Sequence, residues 1–312
     1  MTSAILPGRF MPLHSGHEYL INKARAQCDR LTVLVCSHEK DAIPGWQRYA
    51  WVKNTFPDLD VRHLDGAYPF AGEQIKRSLP EGASLLPEGG TKFRNLAQAL
   101  GLQHVVIERE RKTAAVSSSQ ILEQPLVFWE YLSEKVRPYF IRRVALVGPE
   151  SCGKSYLARL LAGHFQTAFV EEYGRTYCEK FGMNLTELDF AHIAGGQLYR
   201  EDEKAMQANR ILFCDTDLIV TQIWSEIYFN GICQPWIIWA DHLRKYDLYL
   251  LLAPDIPWIN DGLREYEQQR DRMFERLKQE MESRALPFVI IRGNYEERTK
   301  SAVLAVQKLI TI

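Results

Sequence analysis

The chain has 312 residues and a formal net charge of −1, enough length for two ordinary domains with separate cores. The charge balance gives no electrostatic case for nucleic acid or an anionic membrane as partner. Six scattered cysteines with no CxxC pair argue against a disulfide or zinc framework, and no apolar run reaches the ~18 residues of a membrane span.

"SAILPGRF" reads as a short strand ending in a Pro-Gly loop, and "HEYLINKARAQC" follows with apolar residues at helical spacing. "RLTVLVCS" is a compact β-branched run, so the chain opens as a parallel βαβ unit with a right-handed crossover. "WQRYAWVKNTF" predicts an amphipathic helix and "DVRHLD" a strand, whereas residues 66–92 are rich in Gly, Pro and Ser and give no periodic signal. "FRNLAQALG" predicts a helix stopped by Gly101. "HVVIE" predicts a strand, and "PLVFWEYLSEKVRPYF" a helix leading into the second half.

That half restarts the pattern. "RRVALVG" predicts a strand, "KSYLARLLAGHF" a helix, and "TAFVEE", "ILFCDTD", "LYLLLAP" and "PFVIIRG" further strands between helical stretches. Strand alternating with helix predicts an α/β fold made of two doubly wound parallel-sheet domains. The boundary falls near Pro138–Ile141, giving domains 1–138 and 139–312. A cytoplasmic location is expected from the reduced cysteines and from a start without a secretion signal.

"GPESCGKS" fits G-x-x-x-x-G-K-[ST] in full, between a buried strand and a helix. Gly148, Pro149, Glu150, Ser151, Cys152 and Gly153 would wrap backbone N–H groups around the phosphates of ATP. Lys154 would reach the β- and γ-phosphates, and Ser155 would ligate Mg²⁺. Asp215 and Asp217 end the "ILFCDTD" strand, where an acid could hold Mg²⁺ or orient an acceptor hydroxyl; a helix N-cap is the alternative duty of Asp217. In "VEEYGR", Glu172 is expected to bind or deprotonate a sugar hydroxyl, with Tyr173 and Arg175 beside it. Arg264, Arg270 and Arg272 could neutralise charge on a transferring phosphoryl group, or simply line a solvated helix face. Trp258, at a strand end, is a candidate aromatic partner for a substrate ring.

A different phosphate device stands at the start. "HSGH" sets His14 and His17 three apart at a predicted helix N-terminus, with Gly16 leaving room for a phosphate. Such a site suits attack at an α-phosphate with pyrophosphate leaving.

Taken whole, "GRFMPLHSGH" resembles the signature of the HxGH nucleotidyltransferases. Together with "GPESCGKS", "EEYGRTY", "DTDLIVTQ" and "PWINDGLR" it resembles the bifunctional NadR-type family, in which a nicotinamide mononucleotide (NMN) adenylyltransferase is joined to a ribosylnicotinamide kinase. The resemblance implies phosphorylation of nicotinamide riboside to NMN and adenylylation of NMN to NAD. It implies ATP and Mg²⁺ as cofactors and small-molecule substrates, with no nucleic acid or membrane partner; a homo-oligomer is compatible with it. By position, Gly8, Arg9, Phe10, His14, His17 and Ser117 match the family's first ATP site, while Arg48 and Trp51 match the Arg and Trp of a substrate-binding helix, Trp51 being equally a core residue. Some members carry a helix-turn-helix repressor segment before the first strand, and none is expected in this chain. One departure stands out: "VSSSQIL" has Leu122 where the family's second phosphate motif has arginine, so a weakened adenylyl transfer is expected. Two other readings stay open, a kinase with a nucleotide-sensing first domain and a P-loop kinase for another nucleoside.

Overall fold

The computed structural model describes residues 2–66, 72–79, 82–85, 91–107, 116–259 and 267–310. The chain divides into two compact units, Met1–Phe140 and Ile141–Ile312.

In the first unit β1 (Ser3–Gly8), β2 (Arg30–Cys36), β3 (Asp60–Leu64) and β4 (Ala83–Leu85) form a parallel sheet in the order β3-β2-β1-β4. β2 is buried at six of its seven positions, as a strand covered on both faces must be, so its apolar run is continuous rather than alternating. The helices are α1 (Ser15–Arg25), α2 (Gly45–Thr55), α3 (Gly72–Arg77), α4 (Thr91–Leu100), α5 (Ser118–Glu123) and α6 (Arg137–Phe140). Ile5, Leu34 and Cys36 of the sheet pack against Ile75, Leu96, Ala97 and Leu100 of α3 and α4.

Two sequence expectations fail here. The fourth strand comes from Ala83–Leu85, inside the segment without periodicity, and pairs with β1. In the described part of "HVVIE", residues 104–107, only His104 and Ile107 are bridge residues and no continuous strand forms; Val106 between them is exposed. "PLVFWEYLSEKVRPYF" is not one helix either. It breaks into turns, a 3-10 segment at Trp129–Tyr131 and the single turn of α6. Leu132 is extended, forming an antiparallel bridge with His14, and Ser133 N–H donates to Leu13 O (3.4 Å). Those tertiary bonds outweigh helical propensity.

In the second unit β5 (Arg142–Val147), β6 (Phe169–Val170), β7 (Ile211–Asp215), β8 (Leu248–Leu252) and β9 (Phe288–Ile291) form a parallel sheet in the order β6-β7-β5-β8-β9. Around it run α7 (Lys154–Phe165), α8 (Tyr173–Phe181), α9 (Glu187–Ala205), α10 (Leu218–Tyr228), α11 (Pro235–Leu243), α12 (Arg270–Ser283) and α13 (Tyr295–Ile310). Val144, Leu146, Phe213 and Leu250 of the sheet meet Leu157 and Leu161 of α7, and Ala302 and Val306 of α13. The next strand in sequence after β5 lies beyond β7 on one side, while β8 and β9 lie on the other. The loop after β5 therefore opens at the switch point of the sheet, where α/β proteins bind ligands. Both sheets are the doubly wound α/β architecture expected from strand–helix alternation. Among the described residues no helix is long and apolar enough to cross a membrane.

Candidate active site

The loop after β5 holds the phosphate device of the second unit. Gly148 has φ +150°, and a Cβ there would stand 2.7 Å from Leu252 O, so neither its conformation nor its space admits a side chain. Gly153 has φ +86° and leads directly into α7. The loop between them is braced from three directions. Ile259 N–H donates to Ser151 Oγ (2.8 Å). Arg270 on α12 donates to Ser151 O (3.2 Å) and Ile256 O (3.1 Å). Arg298 on α13, buried, donates to Cys152 O, Gly293 O and Ala253 O (each 2.7 Å) and pairs with Asp255. The result is a rigid ring of backbone groups at a helix N-terminus, the form of an anion cradle.

Lys154 Nζ donates to Gly148 O (3.0 Å) and Pro149 O (2.9 Å). Burial disfavours its ammonium, but Cys152, Glu172, Asp215 and Glu150 around it reverse that and raise its pKa. Asp215, at the end of β7, is buried, with the Ser155 hydroxyl near enough to favour its ionised form. Burial first, and then Glu172, push its carboxyl up to about 6, against the pull of Lys154, the nearby Ser155 hydroxyl and Arg175. Its Oδ1 is buried with no hydrogen-bond partner among the described residues. An unpartnered carboxylate oxygen beside a hydroxyl is a hard donor pair. It suits a small divalent cation that keeps waters and nucleotide oxygens in its remaining positions. Among the described residues no group of three His, Cys, Asp or Glu could hold a metal by protein ligands alone.

A cavity of about 310 Å³ opens beside the loop. Glu150, Ser151, Cys152, Gly153, Lys154 and Ser155 form one wall, and Glu172 and Arg175 of the α8 start another. Glu172 sits at the N-cap position of α8 but makes no capping bond with its side chain, which leaves the carboxylate to the cavity. Trp224 and Tyr228 on α10, with Phe190, supply the aromatic surface.

Several expected residues lie elsewhere. Asp217 accepts Val220 N–H (3.0 Å) and caps α10, which is the alternative duty named for it. Tyr173 packs its ring on α9, where a Cβ on Gly196 would approach it to 2.2 Å, with the Arg200 guanidinium over it at 4.7 Å; it lines a separate groove with Tyr177 and Phe181 and not the cavity beside the loop. Trp258 has the Arg270 guanidinium 5.8 Å over its ring and does not line the cavity. Arg272 lies with Arg270 in an adjoining cleft bounded by Pro149 and Glu150, and Arg264 is outside the described residues. Sequence reasoning missed Thr216, Trp224 and Tyr228. The last two were readable, because Val220, Trp224 and Tyr228 recur every four residues and so share one face of α10.

In the first unit His14 caps α1, its Nδ1 accepting Gly16 N–H (3.0 Å), and His14 and His17 stack with centroids 3.9 Å apart. Phe10 (φ +49°) lies edge-on to His17 at 5.1 Å and covers Gly8, where a Cβ would meet its ring at 2.7 Å. His14 Nε2 is 3.0 Å from Ser118 Oγ. The neighbouring Ser117, the residue matched from sequence, instead makes a capping box with Gln120 at the start of α5. Arg9 pairs with Asp41, and Asp41 also receives Arg48. Arg48 is 0% exposed and spends its remaining donors on Arg9 O (2.6 Å), Ile43 O (3.0 Å) and Cys36 O (3.3 Å). It braces the loop that carries Arg9. Trp51 is buried, edge-on to Tyr139 at 5.2 Å, a core position; the exposed ring of α2 is Trp46. Leu122 is half-buried on α5.

A braced P-loop with a strand-end acid on one parallel sheet, and a His–His helix start on another, define a two-unit ATP-using transferase. The AAA domain family matches residues 143–298, and the citrate lyase ligase C-terminal domain family matches residues 5–67. The chain is 30% identical to the trifunctional NAD biosynthesis/regulator protein NadR of Salmonella typhimurium, over 97% of this chain and 82% of that protein. It is 29% identical to NadR of Escherichia coli, over 99% and 83%. A solved NadR protein in complex with NR superposes with a TM-score of 0.83 at 26% identity, covering 100% of this chain and 96% of that one. The chain belongs to the NadR family.

Proposed function

We propose that the second unit phosphorylates nicotinamide riboside to NMN and the first joins NMN to AMP from ATP, forming NAD and releasing pyrophosphate. The observation that carries the kinase half is buried Asp215, one carboxylate oxygen unpartnered among the described residues, near the exposed Ser155 and beside Lys154 and the braced loop. Family membership and the NR-bound relative support the choice of riboside.

In the kinase unit the loop N–H groups and Lys154 hold the β- and γ-phosphates. Lys154 meets charge that grows on the transferring group, where a fixed cation in a dry site counts most. Ser155 and Asp215 would hold Mg²⁺, which supplies further neutralisation of the phosphate charge when bound. Glu172 accepts the proton, or the hydrogen bond, of the attacking ribosyl hydroxyl. The Trp224–Tyr228 face gives the cationic pyridinium an aromatic surface.

In the first unit, His14 and His17 at the α1 N-terminus hold the triphosphate and stabilise charge on the α-phosphate as the NMN phosphate attacks it. The Ser118 contact fixes the His14 ring. With Leu122 on α5, no arginine stands at that position to share the load, so adenylyl transfer is the slower activity. The same residue, with Arg48 and Trp51 turned inward, favours a second reading in which the first unit only senses nucleotide.

The test is a product profile from nicotinamide riboside and MgATP. NMN with equimolar ADP, followed by NAD and pyrophosphate, is expected. NMN and ADP alone select the sensing reading, and a chain that phosphorylates other nucleosides but not the riboside refutes the substrate assignment.

A further inference from the structure

Thr216 stands between Asp215 at the end of β7 and Asp217, the cap of α10. Its φ is +81°, in the left-handed region that a β-branched side chain rarely enters. The surrounding fold holds it there: its N–H donates to Leu146 O (3.0 Å), and both neighbours are fixed by the strand and the helix cap. Glycine would meet that conformation without strain, yet the chain carries threonine. The residue is 4% exposed, its hydroxyl is buried with no hydrogen-bond partner among the described residues, and it lines the cavity with Glu172, Arg175 and Thr221. A strained backbone that sets a threonine with an unsatisfied hydroxyl in a cavity wall is the pattern of a ligand contact.

We propose that the Thr216 hydroxyl binds a ribosyl hydroxyl of the acceptor and sets it against Glu172, making Thr216 a specificity-determining residue of the kinase unit. The inference rests on the kinase reading given above. The phosphates of ATP already have the loop N–H groups, Lys154 and Ser155. A threonine hydroxyl both donates and accepts, as a sugar hydroxyl does, so each satisfies the other. An acceptor without that hydroxyl would leave Thr216 buried and unpaired, which is how a site rejects a deoxy analogue.

The experiment compares wild type, Thr216→Val and Thr216→Ser in steady-state phosphorylation of nicotinamide riboside and its 2′- and 3′-deoxy analogues, with MgATP varied separately and thermal unfolding followed alongside. Thr216→Val should lower kcat/KM for the riboside by about five- to a hundredfold. It should leave the KM for ATP and the melting temperature essentially unchanged. Thr216→Ser should restore most of the rate. With one of the two deoxy analogues, wild type and Thr216→Val should converge. Should Thr216→Val fail to fold, Thr216→Gly, which relaxes the backbone and removes the hydroxyl, carries the same expectation. Riboside kinetics equal to wild type overturn the inference, as do a defect confined to ATP and a defect of the same size on both deoxy analogues. A wild-type chain that makes no NMN overturns the kinase reading itself, which the wild-type arm reports before any variant is compared.

Discussion

Lys154, Asp215 and Leu122 each test the account through a single side chain. Lys154 is surrounded by carboxylates that keep it charged, so Lys154→Ala should cut kcat for NMN formation by about 10²- to 10³-fold, more than it changes KM, in steady-state kinetics. Asp215 has the opposite problem, because burial and Glu172 push its carboxyl up to about 6. A raised carboxylate pKa favours the neutral form in the folded protein. In metal-free protein its contribution to stability is therefore present in acid and lost as pH rises through about 6. Turnover needs the ionised form, so kcat/KM for MgATP should fall as pH drops below about 6; a flat profile from pH 5 to pH 8 contradicts the metal role. Asp215→Asn separates the two effects. It removes a buried charge and should raise the melting temperature by roughly 2–4 °C while abolishing kinase turnover. In the first unit Leu122→Arg restores a cation at the motif position, and should raise NAD formation from NMN by about ten- to a hundredfold in a coupled assay.

At the scale of elements, the contact between α8 and α9 depends on Gly196, where a Cβ would stand 2.2 to 2.5 Å from the Tyr173 ring. Gly196→Ala should destabilise the second unit by about 1–3 kcal/mol in denaturant unfolding. It should weaken acceptor use through Glu172, the residue just before α8, more than it weakens ATP binding. What the sequence revealed follows from the same local physics. Strands such as "RLTVLVC" and "ILFCD" are buried on both faces and announce themselves as apolar runs, and the P-loop is a local motif whose spacing is its function. The misread stretches depend on distant partners. β4 is three residues long and exists because β1 offers an open edge; "PLVFWEYLSEKVRPYF" is broken by the bridge from Leu132 to His14. Other expected site residues hold their motif positions while packing sets the direction of their side chains. Arg48 is spent on three carbonyls and Asp41, Trp51 on Tyr139, and Tyr173 on Gly196. No local pattern distinguishes those from exposed residues. The α10 face of Val220, Trp224 and Tyr228 was periodic enough to have been found.

For the whole molecule, two phosphate devices on two sheets make chemical sense if each serves a different displacement on ATP. The P-loop with Lys154 suits attack at the γ-phosphate; the His14–His17 helix start suits attack at the α-phosphate. The product of the first reaction, a nucleoside monophosphate, is the nucleophile of the second. The most direct measurement is parallel quantification of NMN and NAD formed from nicotinamide riboside and MgATP by wild type, Lys154→Ala and His17→Ala. Wild type should yield both products. Lys154→Ala should yield almost none from the riboside, yet still make NAD when NMN is supplied. His17→Ala should accumulate NMN at the wild-type rate and make no NAD. Loss of both activities in either variant, or NAD formation untouched by His17→Ala, would contradict the assignment of one displacement to each device.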